Sequence, residues 1–345
     1  MHQKSISIDS TFIIRLPLAL LRMMKEKGGS DLFLTAGFAP AIKFSGKLTP
    51  VSTQALSPDD AAAMVQAVMN ERQRVEFDIA KECNFAISPD DIGRFRVSAF
   101  VQQAKAGMVL RTITTDIPEL DALHVPQVLK EVVMAKRGLV IMVGATGSGK
   151  STTLAAMIGH RNANSHGHII TIEDPIEFVH ASDQCLITQR EIGAHSQSFS
   201  HALRAALRED PDVILVGELR DLETIRLALT AAETGHLVLA SLHTRSAAAT
   251  VDRMVDVFDG HEKAVVRTQL SDALVGVVSQ ALCPTLTSNG RVAVFETLVA
   301  TPAIRHLIRE GKTAQMQSTQ QTGAAYGMQS MAQALQDARH QGLIA

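Results

Sequence analysis

The residues whose types and spacing most directly indicate chemistry form a glycine-rich stretch near the middle of the chain. The stretch fits the pattern GxxxxGK[ST] and lies between an apolar segment and a helix-forming one, which is the context in which this pattern binds phosphate. Its glycines let successive backbone N–H groups point inward, and the following helix adds its dipole. The predicted nucleotide-binding residues are Gly144, Ala145, Thr146, Gly147, Ser148, Gly149, Lys150, Ser151 and Thr152.

Two side chains of this phosphate loop, defined as Gly144–Ser151, have separate tasks. The ammonium group of Lys150 neutralises the β- and γ-phosphates, and the hydroxyl of Ser151 is placed to hold Mg²⁺. We therefore expect ATP and Mg²⁺ as ligands. A glycine-rich turn without a ligand explains the stretch less well, because strand, loop and helix follow one another in register.

Acidic and imidazole side chains follow three other apolar segments. Glu218 comes after the apolar run 213–216, where a carboxylate can reach a Mg²⁺-bound water beside the γ-phosphate. Glu173 and Glu177 follow another such run and are candidates for polarising water. His243 lies just beyond the run 237–241, where an imidazole could contact phosphate. We predict catalytic roles for Glu173, Glu218 and His243, with Glu218 also serving the metal.

The elements that must position these groups alternate between strand and helix. From Pro126 the pattern predicts strands at 139–143, 168–172, 213–216 and 237–241, with a helix over 150–162. This alternation is typical of a mainly parallel sheet covered on both faces, so the predicted class is α/β. Late helices are predicted at 305–310 and 329–340, outside that sheet.

The N-terminal part has a different pattern. Helices are predicted at 16–27 and from Pro58, and strands at 31–35, 83–87, 94–102 and 108–113, with a hairpin over 41–51. These elements predict a smaller α+β domain at 1–113, a linker at 114–125, and the nucleotide-binding domain at 126–345. We find no role for the extension at residues 1–11.

Composition excludes several classes of protein. With 46% hydrophobic and 20% charged residues the chain is predicted to be globular, and its net charge of −2 gives no general attraction to nucleic acid. Its three cysteines are far apart and form no CxxC pair, so no zinc site or disulfide framework is expected. No signal peptide and no apolar run of roughly 18 residues is found. We expect a cytoplasmic or peripheral protein.

Beyond the loop, several ordered motifs resemble the secretion ATPase superfamily of type II secretion and type IV pilus machines. They include Glu26 to Leu34 (EKGGSDLFL), Gly93 to Phe100 (GRFRVSAF), Thr171 to Phe178 (TIEDPIEF), Ala205 to Asp221 (AALREDPDVILVGELRD) and Gly235 to Thr244 (GHLVLASLHT). The last three are similar to the family's Asp box, Walker B region and His box. The closest similarity is to the pilus retraction ATPases, the PilT and PilU branches.

This resemblance implies a PAS-like N-terminal domain and a RecA-like ATPase domain assembled as a ring of six subunits. By position Glu218 matches the Walker B glutamate and Glu173 the Asp box glutamate, and which of them is the main base stays open. Arg96 and Arg111 match N-terminal arginines that reach the γ-phosphate in relatives, as an arginine finger does. Surface arginines on strands are the plainer alternative.

The resemblance also implies a function, which is retraction of type IV pili during twitching motility. Residues 303–312 (AIRHLIREGK) are similar to a retraction-motor element, with His306 in place of asparagine. The expected partners are an inner-membrane platform protein at the pilus base and a paralogous retraction ATPase, and the chain does not distinguish the PilT from the PilU role. The alternatives are a pilus assembly or type II secretion ATPase, a nucleic-acid translocase, and an ATP-binding subunit without turnover.

Overall fold

The computed structural model describes residues 10–113, 116–286 and 290–345, with side chains in the first helix described from residue 15 onward. The chain divides into two compact units, Met1–Thr115 and Asp116–Ala345. Of the linker predicted at 114–125, residues 114 and 115 lie outside the described residues. The remainder belongs to the second unit, because Leu120 is buried in that unit's core. Residues 1–9 of the extension also lie outside the described residues.

The first unit is an antiparallel sheet with three helices. Its strands are β1 Asp31–Thr35, β2 Ala41–Phe44, β3 Lys47–Pro50, β4 Glu82–Ile87, β5 Arg94–Gln102 and β6 Lys105–Ile113, and its helices are α1 Ser10–Glu26, α2 Pro58–Ala67 and α3 Glu71–Ala80. The strand order is β3-β2-β1-β6-β5-β4. Ser45 and Gly46 join β2 and β3 with positive φ angles of 46° and 84°, as a two-residue hairpin with a primed turn requires.

One face of this sheet carries the core of the first unit. Phe95 and Val97 of β5 are fully buried, and they pack with residues of α1 and α2 such as Met24 and Met64. Because side chains alternate along a strand, Arg96 lies on the opposite face from Phe95 and Val97. The helix α3 was not predicted from the sequence. Its start is marked by a capping box, in which the side chains of Asn70 and Gln73 each accept a bond from the other's backbone N–H.

The second unit is an α/β layer structure. Its strands are β7 Gly138–Val143, β8 Gly167–Glu173, β9 Cys185–Glu191, β10 Val213–Val216, β11 Leu237–Leu242, β12 Leu274–Pro284 and β13 Arg291–Val299, and its helices are α4 Gln127–Val133, α5 Lys150–Asn164, α6 Phe199–Ala206, α7 Leu222–Glu233, α8 Ala247–Asp256, α9 Lys263–Ala273, α10 Pro302–Arg309, α11 Met316–Gln321 and α12 Met331–His340. The order is β13-β12-β7-β11-β10-β8-β9. Only β13 runs antiparallel to its neighbour in this sheet of described strands.

Helices cover both faces of this sheet, as the alternating pattern predicts. Leu139 and Ile141 of β7 belong to one core cluster with residues of α6 to α10, whereas Val140 and Met142 belong to a second cluster with residues of α4 and α5. The edge strands β9 and β13, and β12 next to β13, were not predicted. The helix α12 packs on β13 through Ala334 and Ala338, so the last helix covers the sheet's end rather than standing apart from it.

No helix among the described residues is both long enough and apolar enough to cross a lipid bilayer.

Candidate nucleotide-hydrolysing site

The phosphate loop connects β7 to α5, as predicted, and its glycines adopt conformations that other residues rarely adopt. The φ angles are 143° at Gly144, 77° at Gly147 and 89° at Gly149. A Cβ atom on Gly144 would lie 2.4 Å from the main-chain oxygen of Gln280, whereas none of the described heavy atoms lies within 4 Å of a Cβ on Gly147. The loop is therefore packed against β12 at its start and open at its middle.

Lys150 lies inside the loop and is only 8% exposed. Its Nζ donates to the main-chain oxygens of Gly144 at 2.8 Å and Ala145 at 3.0 Å. Burial lowers the pKa of the ammonium group, and the charges of Glu218 and Glu177 act in the opposite direction. The cation is thus held where phosphate oxygens would meet it. Ser151 is exposed and Thr152 half-buried in the first turn of α5.

The loop also contains a polar atom that lacks a partner. Ser148 is 6% exposed, and its Oγ has no hydrogen-bond partner among the described residues. A buried hydroxyl left unpaired costs about 1–3 kcal/mol, so such groups usually mark a place where a ligand or water completes the bonding. Together with the inward-facing loop and Lys150, this hydroxyl fits an anionic phosphate group. The free hydroxyl of Ser151 and the carboxylate of Glu218 are oxygen ligands of the kind that Mg²⁺ prefers.

Main-chain hydrogen bonds hold the carboxyl ends of three parallel strands together. The N–H of Gly217, just after β10, donates to the oxygen of Ile172 on β8 at 2.8 Å, and the N–H of Leu219 donates to the oxygen of Ser241 on β11 at 3.0 Å. The sheet order inserts β11 between β7 and β10. Glu218 therefore emerges from the same edge of the sheet as the phosphate loop.

Glu218 is partly buried, and two basic side chains lie next to its carboxylate. Its Oε2 accepts from Nε of Arg220 at 2.7 Å, and its Oε1 lies 3.3 Å from Nε2 of His243. Arg220 also lies 3.4 Å from the carboxylate of Asp174. The structure thus brings Glu218 and His243 together, as their strand-end positions predict. Arg220 and Asp174 complete this cluster, and sequence analysis assigned no role to either.

Glu173 has a different environment at the end of β8. One carboxylate oxygen accepts from the hydroxyl of Thr171 at 2.6 Å and from the side-chain amide of Gln189 at 3.2 Å. Burial raises the pKa of Glu173, and these two hydrogen bonds oppose that effect only in part. A carboxylate whose pKa is raised towards neutrality is a better proton acceptor than an exposed one.

A cavity of about 580 Å³ opens beside the loop. Residues 144–148 line one side, and His243, Thr244 and Arg245 line another. The remaining wall comes from β12, β13 and Met331 of α12, and it includes Gln280, Leu282 and Arg291. Sequence analysis missed Gln280 and Arg291, because only the sheet order brings the β12–β13 pair next to the loop. It also missed Arg245, which lies two residues after His243 in the loop that follows β11.

Arg96 and Arg111 belong to the first unit, whereas the loop and the carboxylates belong to the second. The two arginines are register partners on β5 and β6 and are both exposed. Nε of Arg111 lies 2.7 Å from a carboxylate oxygen of Asp31. Burial would raise the pKa of Asp31, but hydrogen bonds from Arg111 and Ser30 and the charge of Arg111 outweigh it and lower that pKa.

A phosphate loop at the end of a parallel strand, with carboxylates beyond two other strands of the same sheet, defines a P-loop ATPase core of the RecA-like class. The family model described as Type II/IV secretion system protein matches residues 7–342. The chain belongs to this family, and the resemblance seen in its motifs is confirmed.

Three relatives illustrate the similarity. The chain is 50% identical over 325 residues to the type IV pilus retractation ATPase PilT of Pseudomonas aeruginosa, covering 94% of each chain. It is also 50% identical over 325 residues to the type IV pilus ATPase PilU of the same organism, covering 94% of this chain and 85% of the relative. A solved structure, the pilus retraction motor PilT with bound ADP, matches with a TM-score of 0.87 and 43% identity, covering 94% of each chain. These similarities confirm the predicted fold class.

Proposed function

We propose that this chain is a hexameric ATPase motor that hydrolyses ATP to power type IV pilus retraction, and hence twitching motility. One observation carries the proposal: a complete phosphate loop stands beside the Glu218–His243 pair, in a chain half identical over 94% of its length to a pilus retraction ATPase. An ATP-binding subunit that does not hydrolyse ATP would not need Glu173 and Glu218, which lie at or just after the ends of parallel strands in the same sheet as the loop.

The phosphate loop and Lys150 bind the β- and γ-phosphates of ATP in this proposal. Ser151 and Glu218 would hold Mg²⁺, which would supply positive charge beside the phosphate oxygens when bound. Water attacks the γ-phosphorus, the bond from that phosphorus to the β–γ bridging oxygen breaks, and ADP and phosphate leave. The proton of the attacking water passes to a carboxylate of the chain.

We assign Glu173 as the group that accepts this proton. Its pKa is raised by burial, so it binds a proton more readily than an exposed glutamate does. Glu218 is already in contact with Arg220 and His243, so we assign it to orienting water and metal instead. His243 adjoins the cavity and Glu218 at once, so its contacts would differ between the ATP and ADP states.

Arg96 and Arg111 are proposed to contact the γ-phosphate from the first unit, which would make its position depend on the nucleotide. Both side chains are exposed and charged, and arginine suits bidentate binding of phosphate. Arg111 would exchange its contact with Asp31 for one with phosphate. Differential contacts of this kind are the source of a conformational change driven by hydrolysis.

The proposed setting is cytoplasmic, at the inner-membrane base of the pilus. A homo-hexamer of this chain would act on a platform protein in the membrane, and a paralogous ATPase of the same family would share the task. The identity to PilT and to PilU is 50% in each case, so overall similarity does not separate the two roles. Complementation of strains lacking one or the other would assign the role.

Phosphate release from the purified chain tests the enzymatic part. The comparison is between the unchanged protein, Lys150→Ala and Glu218→Ala, with Glu233→Ala on the exposed end of α7 as a matched control. Ring assembly of each is checked by light scattering. We expect turnover from the unchanged chain and the control only, and equal turnover in all four proteins would overturn the proposal.

A further inference from the structure

Gln280 of β12 lies against both ends of the phosphate loop. The parallel pairing of β12 with β7 runs through Ser279 and Val143, which places the next residue, Gln280, beside the first loop residue, Gly144. A Cβ on Gly144 would come within 2.4 Å of the main-chain oxygen of Gln280. The backbone of Gln280 therefore fixes where the loop begins.

The side chain of Gln280 extends to the other end of the loop. It is 4% exposed, and its Oε1 accepts from the hydroxyl of Thr153 on α5 at 2.8 Å. Its Nε2 lies 2.8 Å from where a Cβ on Gly149 would stand, and none of the described residues accepts a hydrogen bond from it. Because the amide oxygen accepts from Thr153, the amide N–H group, Nε2, faces the loop.

We infer that Gln280 is a positioning residue for nucleotide binding, which keeps an N–H donor rather than an acceptor beside the anion-binding loop; this inference rests on the proposed function. An amide is neutral and donates, whereas a carboxylate of the same shape would present negative charge next to bound phosphate. The unpaired hydroxyl of Ser148 lies near the start of the loop, since a Cβ on Gly144 would be 2.7 Å from its Oγ, whereas the Gln280 amide lies near Gly149. A donor group therefore lies near each end of the loop.

The discriminating variant is Gln280→Glu in the full chain. Its carboxylate still accepts from Thr153 but replaces the donor over Gly149 with a negatively charged oxygen. At pH 8 we expect the Kd for ADP with Mg²⁺, measured with a fluorescent ADP analogue and competing ADP, to rise about tenfold or more relative to the unchanged chain. As the pH falls towards 6, the ratio of the two Kd values should shrink, because a protonated carboxyl group donates again.

A merely structural role would not produce this pH dependence. Gln280→Met removes both polar atoms at similar volume, so its Kd for ADP should rise by a ratio that stays constant with pH. Thr153→Val removes the group that orients the amide and should weaken ADP binding by about fivefold. Unfolding midpoints without nucleotide identify any variant that fails to fold, and if Gln280→Glu is one of them, Gln280→Met and Thr153→Val decide.

The outcomes separate the inference from the proposed function. If the unchanged chain binds ADP and folded Gln280→Glu binds it equally well at pH 8, the inference is overturned. Unchanged ADP affinity in both Gln280→Met and Thr153→Val overturns it as well. A failure of the unchanged chain to bind ADP would instead contradict the proposed function.

Discussion

The two units hold their candidate functional groups in opposite ways. In the second unit, main-chain features fix the site: glycine φ angles shape the loop, and backbone hydrogen bonds tie the strand ends that carry Glu173 and Glu218. In the first unit, Arg96 and Arg111 are exposed side chains on strands, and the ion pair with Asp31 restrains only Arg111. In the proposed mechanism, this difference means that the second unit does the chemistry with a prearranged site, while the first unit would respond to the nucleotide through exposed side chains.

The largest effect is expected from Lys150→Ala, which removes the cation at the centre of the prearranged site. Phosphate release should fall by about a thousandfold, the upper range for deleting one group that stabilises transition-state charge. The measurement is steady-state phosphate release with saturating ATP. Lys136→Ala, which changes an exposed lysine of the same unit, should retain full activity. Full activity in Lys150→Ala would contradict the claim that the second unit holds a prearranged catalytic site.

The next effect distinguishes the two carboxylates. Burial raises the pKa of Glu173 above its ordinary 4.5, so its base form is lost as the pH falls through that raised value. The activity of the unchanged chain should therefore decline on the acid side at a pH above 4.5, and Glu173→Gln should lose about a hundredfold in rate together with this acid limb. Glu218→Gln should keep the acid limb at a lower rate. A retained acid limb in Glu173→Gln would assign the base to another group.

A smaller effect, on the stability of the second unit, is expected when a side chain is added to the first glycine of the loop. Gly144→Ala places a side chain at φ 143° with its Cβ 2.4 Å from a main-chain oxygen, which should destabilise the second unit by about 1–3 kcal/mol. Gly342→Ala, where φ is 68° and the Cβ meets no described atom within 4 Å, should cost only about 1 kcal/mol. Urea unfolding measures both, and equal costs would show that contact with β12 does not fix the loop.

The arginines of the first unit should affect turnover without affecting ADP binding. Arg96→Ala and Arg111→Ala are each expected to slow hydrolysis by about tenfold to a hundredfold and to leave the Kd for ADP unchanged, since ADP has no γ-phosphate. Arg72→Ala, exposed on α3 of the same unit, serves as the matched control. Hydrolysis at the unchanged rate in both variants would make these residues plain surface arginines.

The smallest effect concerns Asp31. Its lowered pKa means that the ion pair stabilises the fold above pH 3.8, and that this stability is lost as the pH falls through the still lower folded value. Because Arg111 is exposed, Asp31→Asn should cost less than about 1 kcal/mol near neutral pH. Urea unfolding between pH 3 and 7 compares the two proteins. A stability difference that stays the same throughout this range would contradict the role given to the carboxylate.

The prearranged half of the site could be predicted because its signals are local. Glycines and Lys150 at fixed spacing mark the loop, and the strand predicted at 139–143 differs from β7 by one residue. The strands β12 and β13, which form one end of the sheet, could not be predicted from local signals of this kind. The strand β12 begins at Leu274, directly after α9 ends at Ala273, so no turn residue marks the change.

Contacts that depend on the order of strands in the sheet could not be predicted from the sequence either, because no local signal marks them. Gln280 lies inside β12 and Arg291 begins β13, with no motif around either residue, and their place beside the loop depends on the pairing of β12 with β7. The helix α3 was detectable in principle, since its capping box of Asn70 and Gln73 is a local signal. Its apolar residues show weak helical periodicity, which hid the rest of the helix.

The central claim is that hydrolysis at this site powers pilus retraction. The most direct test is to express the chain, or its Glu218→Ala variant, in a twitching bacterium that lacks its own retraction ATPases, and to measure twitching zones with surface pilin quantified alongside. The unchanged chain should restore twitching and lower the amount of surface pili, whereas assembled Glu218→Ala rings should do neither. Restoration by both proteins, or by neither despite correct ring assembly and ATP turnover of the unchanged chain, would contradict the account.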